Sequence, residues 1–221
     1  IVNYVYETII KHCNPNTLFI DCSTINVDEA KMLHKKCEIN NFLCLDAPVS
    51  GGVIGAENGT LTFMVGGDEE AYELALPLFE IMGNKSVLCG SSSSGQTAKA
   101  CNNMLLAITM IGVGEAFNLG NNLGLNSEKL FQVLSTSSGS CWAINNYCPV
   151  KNIGPNSPAD NSFKPGFAAS LMLKDLTIAL KSIENSGTKA PFGKKAQERF
   201  SEMIDDKKGD LDFSAIINFN K

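Results

Sequence analysis

The run Met104-Leu-Leu-Ala-Ile-Thr-Met-Ile-Gly-Val113 constrains this chain more than any other stretch. Read at helical spacing it leaves no polar stripe to face water, so a helix built on it is expected to be buried on every side. Just ahead lies Gly95-Gln-Thr-Ala-Lys99-Ala-Cys-Asn102-Asn103, where Lys99 and Asn103 stand one helical turn apart and face the same way. Buried polar groups without partners are costly, so a lysine and an amide at the mouth of a buried helix need defined partners. A plainer reading has Lys99 snorkelling to solvent from the first turn and Asn103 filling a cap position. Spacing alone leaves both open.

A chain of 221 residues with 44% hydrophobic content can bury one large core or two smaller ones. Its net charge of −5, with basic residues clustered only as Lys35-Lys36, Lys194-Lys195 and Lys207-Lys208, argues against a nucleic-acid partner. The apolar run of about ten residues suits a core helix rather than a bilayer span, so no membrane partner is expected. Eight cysteines form no Cys-x-x-Cys pair, and only His12 and His34 could join them as ligands. No metal site follows, and buried, reduced thiols of an intracellular protein are expected. Neither histidine accompanies a Gly-x-Ser-x-Gly elbow, which gives hydrolase chemistry no support.

Ile1 to Ile10 reads as running helix without an initiating methionine or signal peptide, as expected of a piece of a longer protein. Thr17–Asp21 reads as a buried strand, and Asn26 caps a helix to about Ile39 with Ala30, Leu33 and Cys37 inward. Phe42–Asp46 is the next strand, running into Ala47-Pro-Val-Ser-Gly-Gly52, whose proline and glycines predict an irregular loop. Gly59–Val65 is a third strand stopped by Gly66-Gly67; a helix capped by Asp68 follows from Glu69 to about Met82, then a strand over Lys85–Cys89. This alternation predicts an α/β layer of mostly parallel type.

Beyond the polar joint Ser91–Gly95 the pattern turns helical, with helices expected at about 95–122, 127–135, 168–185, 191–206 and from Phe213 to the end. The expected domains are 1–92 and 93–221. Tyr147–Gly166 is too long for an ordinary bundle connection, so it is either mobile surface or a lid. Gly112-Val-Gly114 sits inside the long helix with no strand before it, so it reads as a close-packing device rather than a dinucleotide fingerprint.

Asp46-Ala-Pro-Val-Ser50-Gly51-Gly52 ends a strand, where open α/β sheets place ligands; taken by itself it reads first as a plain strand-to-loop turn, while its serine and glycines also suit a carboxylate or phosphate. Lys174-Asp175 interrupts the apolar turn Leu171-Met-Leu173 and Leu176; a charged helix face is the ordinary reading, and against it the apolar neighbours point to a buried lysine with a defined partner. These strings, in this order and spacing and together with Gly59-Thr-Leu-Thr-Phe-Met-Val-Gly-Gly67 and Asn118-Leu-Gly-Asn-Asn-Leu-Gly-Leu125, resemble the β-hydroxyacid dehydrogenase family from Thr17 almost to the C-terminus.

The resemblance implies the C-terminal portion of a Rossmann-type nucleotide-binding domain followed by an all-helical substrate and oligomerisation domain, joined through the long buried helix. It implies Lys99 as the catalytic lysine, with Ser50, Gly51, Gly52 and Asn103 binding substrate. Thr24 would contact a nicotinamide cofactor, as would Lys174 with Phe167 and Asp175 as neighbours; NAD is expected, with NADP as the variant. The implied reaction transfers a hydride between NAD and a small 3-hydroxy acid, with 3-hydroxyisobutyrate of valine catabolism as the leading substrate and no metal required. An ordinary lysine pKa of about 10.4 is too high for a base near neutrality, so burial and neighbouring cations would have to lower it.

The family's Gly-x-Gly-x-x-Gly turn is not among these residues. On that ground the chain alone is expected to bind dinucleotide poorly, a matter for calorimetric titration. A homodimer or homotetramer is implied, in the mitochondrial matrix of a eukaryote or the cytoplasm otherwise. Two alternatives stand beside this reading: a tartronate or succinic semialdehyde reductase, and a non-catalytic relative acting through its helical domain.

Overall fold

A computed structural model describes residues 1–219, and the chain forms two compact units, Ile1–Cys101 and the residues from Asn102 onward. The first unit opens with α1 (Val2–Ile9) and carries a five-stranded sheet of β1 (Leu18–Asp21), β2 (Leu43–Asp46), β3 (Val49–Ser50), β4 (Leu61–Gly67) and β5 (Gly83–Gly90). Its helices are α2 (Val27–Ile39), α3 (Gly52–Glu57) and α4 (Glu69–Met82).

The sheet is mixed rather than mostly parallel. β1 pairs β2 and β4 pairs β5 in parallel, each pair joined by a helix, α2 and α4, as parallel crossovers require. β2 and β3, however, both run antiparallel to β4. The expected irregular loop after Asp46 continues along β4 instead: Pro48 has no N–H to give, but its carbonyl accepts from Met64 N at 3.0 Å and Val49 then pairs with Phe63. Only α3 and its flanks remain to reverse the chain, too little for a crossover. Gly66 and Gly67 likewise extend β4, pairing with Asp46 and Leu45, rather than stopping it.

Two apolar clusters hold this unit together. Leu45, Phe63, Val65, Ala75 and Phe79 fill one, with the Phe63 and Phe79 rings 4.6 Å apart. Tyr6, Phe19 and Ile25 fill the other with Ala30, Leu33 and Cys37, the face of α2 expected from the sequence. α4 spans the expected residues and keeps Pro77 inside it.

The long helix α5 (Ser94–Asn122) is not buried all round. Ala107, Met110, Val113 and Phe117 face the core, while Leu105 and Leu119 are 60% and 61% exposed, with exposed Gly112 midway between them. A side chain's apolarity permits burial without enforcing it, and among the described residues no element covers that stripe. Nothing lies within 4 Å of where a Gly112 side chain would stand, so this glycine does not serve close packing. By length and composition α5 could cross a bilayer, whereas the sequence promised only a short run; its inner face is packed into the second unit's core.

The second unit continues with α6 (Ser127–Thr136), α7 (Trp142–Asn145), α8 (Ala169–Ser186) and α9 (Pro191–Asp205). α7 and a short 3-10 turn over Pro158–Asn161 were not expected from the sequence. The final helix is 3-10 over Phe213–Phe219, and its last two expected residues lie outside the described ones. Tyr147–Gly166 is braced from within: Ser157 Oγ donates to Cys148 O at 2.7 Å, and Asp160 accepts from the Ser157 and Asn152 amides. Those two amides hold the Asp160 carboxyl below the usual carboxylate range.

All eight cysteines are free thiols. Cys37 and Cys148 are buried as expected, but Cys22, Cys89 and Cys101 are exposed.

Candidate active site

In the first unit the site is organised by a carboxylate. Asp46 ends β2, is almost wholly buried, and accepts from the backbone amides of Ser93 and Gln96, both at 2.8 Å. These amides open α5, so Asp46 caps a helix from another element, where negative charge also opposes the positive end of the helix dipole. His34 Nε2 adds a contact at 3.0 Å to Asp46 Oδ1. Only glycine lets these parts meet. A β-carbon at Gly95 would stand 2.3 Å from Met64 O and 2.6 Å from Asp46 O, and one at Gly66 would stand 2.5 Å from Asp46 Oδ1.

Lys99 follows one turn later and is 8% exposed. Its Nζ donates to Val49 O at 2.8 Å, so it does not snorkel to water but lies against the residue that precedes Ser50. Ser50 is half-buried at the end of β3, and Gly51 and Gly52 lead into α3 at φ of +133° and +62°, conformations that a side chain would strain. Thr24 is half-buried in the segment after β1. That segment is held on both sides: Gln96 Oε1 accepts from Ile25 N at 3.1 Å and Gln96 Nε2 donates to Ser23 O at 2.7 Å. Lys99 and the Ser50 segment are thus brought together within one unit.

In the second unit Asn103, Asp175 and Lys174 form one cluster. Asn103 Nδ2 donates to Asp175 Oδ2 at 2.6 Å, and Asn103 Oδ1 accepts from Asn102 Nδ2 at 2.9 Å. Lys174 Nζ lies 3.4 Å from Asp175 Oδ1. The expectation of a buried Lys174 is reversed. Its side chain is 49% exposed and the adjacent carboxylate is the buried partner, because the lysine stem can reach water from a helix whose aspartate cannot.

Phe167 lies in the same unit, just ahead of α8. It packs edge-on against Phe213, and its amide donates at 3.0 Å to Asp212, a fully buried carboxylate. Asp212 also accepts from Tyr147 OH, Gly166 N and both the amide and the hydroxyl of Ser214. Burial and the Asp212 charge push the Tyr147 phenol well above its ordinary pKa.

The sequence alone assigns no role to Asp46, Gln96 or Asp212. The available signal was their setting: a charge at the end of an apolar strand, an amide beside Gly95, and a charge between Leu211 and Phe213. The arrangement as a whole offers a buried amine beside a serine-glycine turn in one unit and a carboxylate-oriented amide in the other.

Comparison with known proteins accords with this chemistry. Residues 93–220 match the family model described as NAD-binding of NADP-dependent 3-hydroxyisobutyrate dehydrogenase, and residues 1–90 match the NAD binding domain of 6-phosphogluconate dehydrogenase. A probable 3-hydroxyisobutyrate dehydrogenase of Mycobacterium tuberculosis is 46% identical over 99% of this chain and 74% of its own length. The mitochondrial 3-hydroxyisobutyrate dehydrogenase of Drosophila melanogaster is 43% identical over 94% of this chain and 64% of its own. Among solved structures, Mycobacterium tuberculosis 3-hydroxyisobutyrate dehydrogenase with L-serine superposes with a TM-score of 0.95 at 46% identity, covering 99% of this chain and 75% of that one. With relatives this similar along nearly its whole length, the chain belongs to the 3-hydroxyisobutyrate dehydrogenase family.

Proposed function

We propose that the protein is an NAD-dependent oxidoreductase that oxidises 3-hydroxyisobutyrate, or a small 3-hydroxy acid like it, to the semialdehyde. The observation that carries this reading is Lys99, a buried amine 2.8 Å from Val49 O and beside the Ser50-Gly51-Gly52 turn, in a chain of this family. In the oxidation the alcohol carbon loses a hydride and the alcohol oxygen loses a proton. Lys99 in its neutral form takes that proton and, in reverse, returns it to the aldehyde oxygen. Ser50, Gly51 and Gly52 bind the substrate carboxylate, and Asn103, its amide oriented by Asp175, holds the substrate for the transfer.

NAD, when bound, supplies the hydride acceptor; NADP is the variant. The residues suit it at one end. Asp21 ends β1 with Oδ2 buried and lacking a hydrogen-bond partner among the described residues, just before Ser23 and Thr24. A spare acceptor at the carboxyl end of a parallel strand fits a ligand rich in hydroxyl and amide donors. Thr24, Phe167, Lys174 and Asp175 are proposed as its contacts.

L-serine is a 3-hydroxy acid too, and its presence with the Mycobacterium tuberculosis enzyme favours it as the second candidate. The test is NADH formation by the complete gene product with 3-hydroxyisobutyrate and L-serine side by side. A higher kcat/KM for 3-hydroxyisobutyrate supports the main reading, preference for L-serine moves the assignment to the second, and no turnover with either removes both. The Leu105–Leu119 stripe supports a dimer or tetramer, to be checked by light scattering. A mitochondrial address is proposed should the source be eukaryotic, by the Drosophila relative's example.

A further inference from the structure

Gln96 has no part in the chemistry above, yet it is 1% exposed and every polar group of its side chain is engaged. Its two bonds go to the backbone on either side of one residue. The Ser23 carbonyl, which accepts from Nε2 at 2.7 Å, belongs to the peptide group before Thr24. The Ile25 amide, which donates to Oε1 at 3.1 Å, belongs to the peptide group after it. Both peptide planes that flank the Thr24 Cα are therefore fixed, and the direction of its Cα–Cβ bond with them. An amide is suited to this task because one end donates while the other accepts, matching a carbonyl and an N–H at once.

The other end of the connection is equally firm. The Gln96 backbone amide is held by Asp46 Oδ2 at 2.8 Å, and Lys99, three residues along the same helix, is held by Val49 O at 2.8 Å. Asp46 and Val49 are three residues apart, so one short segment seats both the glutamine and the lysine. Ser23 is further restrained by its own amide, which donates to Asp21 Oδ1 at 2.9 Å.

We propose that Gln96 is a positioning residue that locks the Ser23-Thr24-Ile25 backbone to the helix bearing Lys99, so that the nicotinamide-side contact at Thr24 and the proton-transferring amine keep a fixed register. The proposal rests on the dehydrogenase reading above. It places the effect of Gln96 on cofactor binding, not on the hydroxy acid and not on folding alone.

The test uses the complete gene product. Gln96→Met keeps length and helix propensity while removing both bonds; Gln96→Glu keeps the acceptor for Ile25 N–H and loses the donor to Ser23 O. Loss of two buried hydrogen bonds that orient a contact raises the KM for NAD about tenfold in Gln96→Met, and at least as much in Gln96→Glu, whose new carboxylate oxygen faces the Ser23 carbonyl. The KM for the hydroxy acid stays within about twofold. Hydrogen exchange at the Ile25 amide accelerates in Gln96→Met while that at Leu45 does not. Thr24→Ala added to Gln96→Met raises the KM for NAD little further, because the two act through one contact.

An unchanged KM for NAD in both variants overturns the proposal, as does a parallel rise in both KM values. Should Gln96→Met fail to fold, Gln96→Glu decides by the same criteria. Absence of NAD-dependent turnover in the unmutated protein would overturn the functional reading and this proposal together, and is seen before any variant is made.

Discussion

A lysine amine can take a proton only if it is placed where the substrate hydroxyl arrives, and Lys99 is fixed by its bond to Val49 O rather than left to sample solvent. Lys99→Ala is expected to lower turnover by about 10²-fold or more while the protein still folds, as a thermal scan would show. Retention of more than a few per cent of activity across pH would remove the acid–base role. Asp175→Ala should behave differently. It leaves the Asn103 amide without its carboxylate, so the KM for the hydroxy acid rises and stability falls by about 1–3 kcal/mol, read together from kinetics and denaturant titration. Lys99, Asn103 and Asp175 stand out in the sequence as candidates because each lies in a short motif. Asp46 and Gln96 were not legible as partners, because the residues they hold are 50 and 71 positions away.

At the scale of elements, the crossing of β4 with the start of α5 depends on two missing side chains. Gly95→Ala forces its β-carbon into two backbone carbonyls, Met64 O and Asp46 O, neither of which can swing aside as a side chain could. A loss of about 1–3 kcal/mol is expected, lowering the melting temperature by several degrees in a calorimetric scan, and Gly112→Ala serves as the control with open space around it. Helix α2 was readable from its period, as Ala30, Leu33 and Cys37 attest. The exposed side of α5 was not, since leucine at positions 105 and 119 states what a face tolerates and not what covers it. The antiparallel turn into β4 was hidden for a related reason: Pro48 and two glycines look like the end of regular structure, and only the partner strand reveals that the carbonyl of Pro48 is still paired.

Across the whole molecule, the α/β half and the helical half were legible from the change of hydrophobic period near residue 90, whereas the compact units meet inside α5, where no composition shift marks the point. Cysteine usage gives a prediction at this scale. Thiol titration in denaturant should count eight, with or without prior reduction, and under native conditions exposed Cys101 should react ahead of Cys22 and Cys89, whose thiols burial pushes above their ordinary pKa. The helical unit also carries a pH signature. Because the folded Tyr147 phenol titrates above its ordinary value of 10.0, its contribution is full below that value and is lost as pH climbs past it. Tyr147→Phe should therefore be less stable than the parent at neutral pH, by about 1–2 kcal/mol, and should lose less on going from pH 9 to 11, as denaturation at each pH would measure.

That tyrosine ring lies between two others, stacked on Trp142 with centroids 5.0 Å apart and on Phe213 at 5.4 Å, above the Asp212 carboxylate. Trp142 is the chain's single tryptophan. Its emission is therefore an optical gauge of one place only, the clasp that ties Gly166 and Phe167 to the closing turn, and loosening there alters the tryptophan fluorescence even while the sheet of the first unit, which has no tryptophan, stays intact.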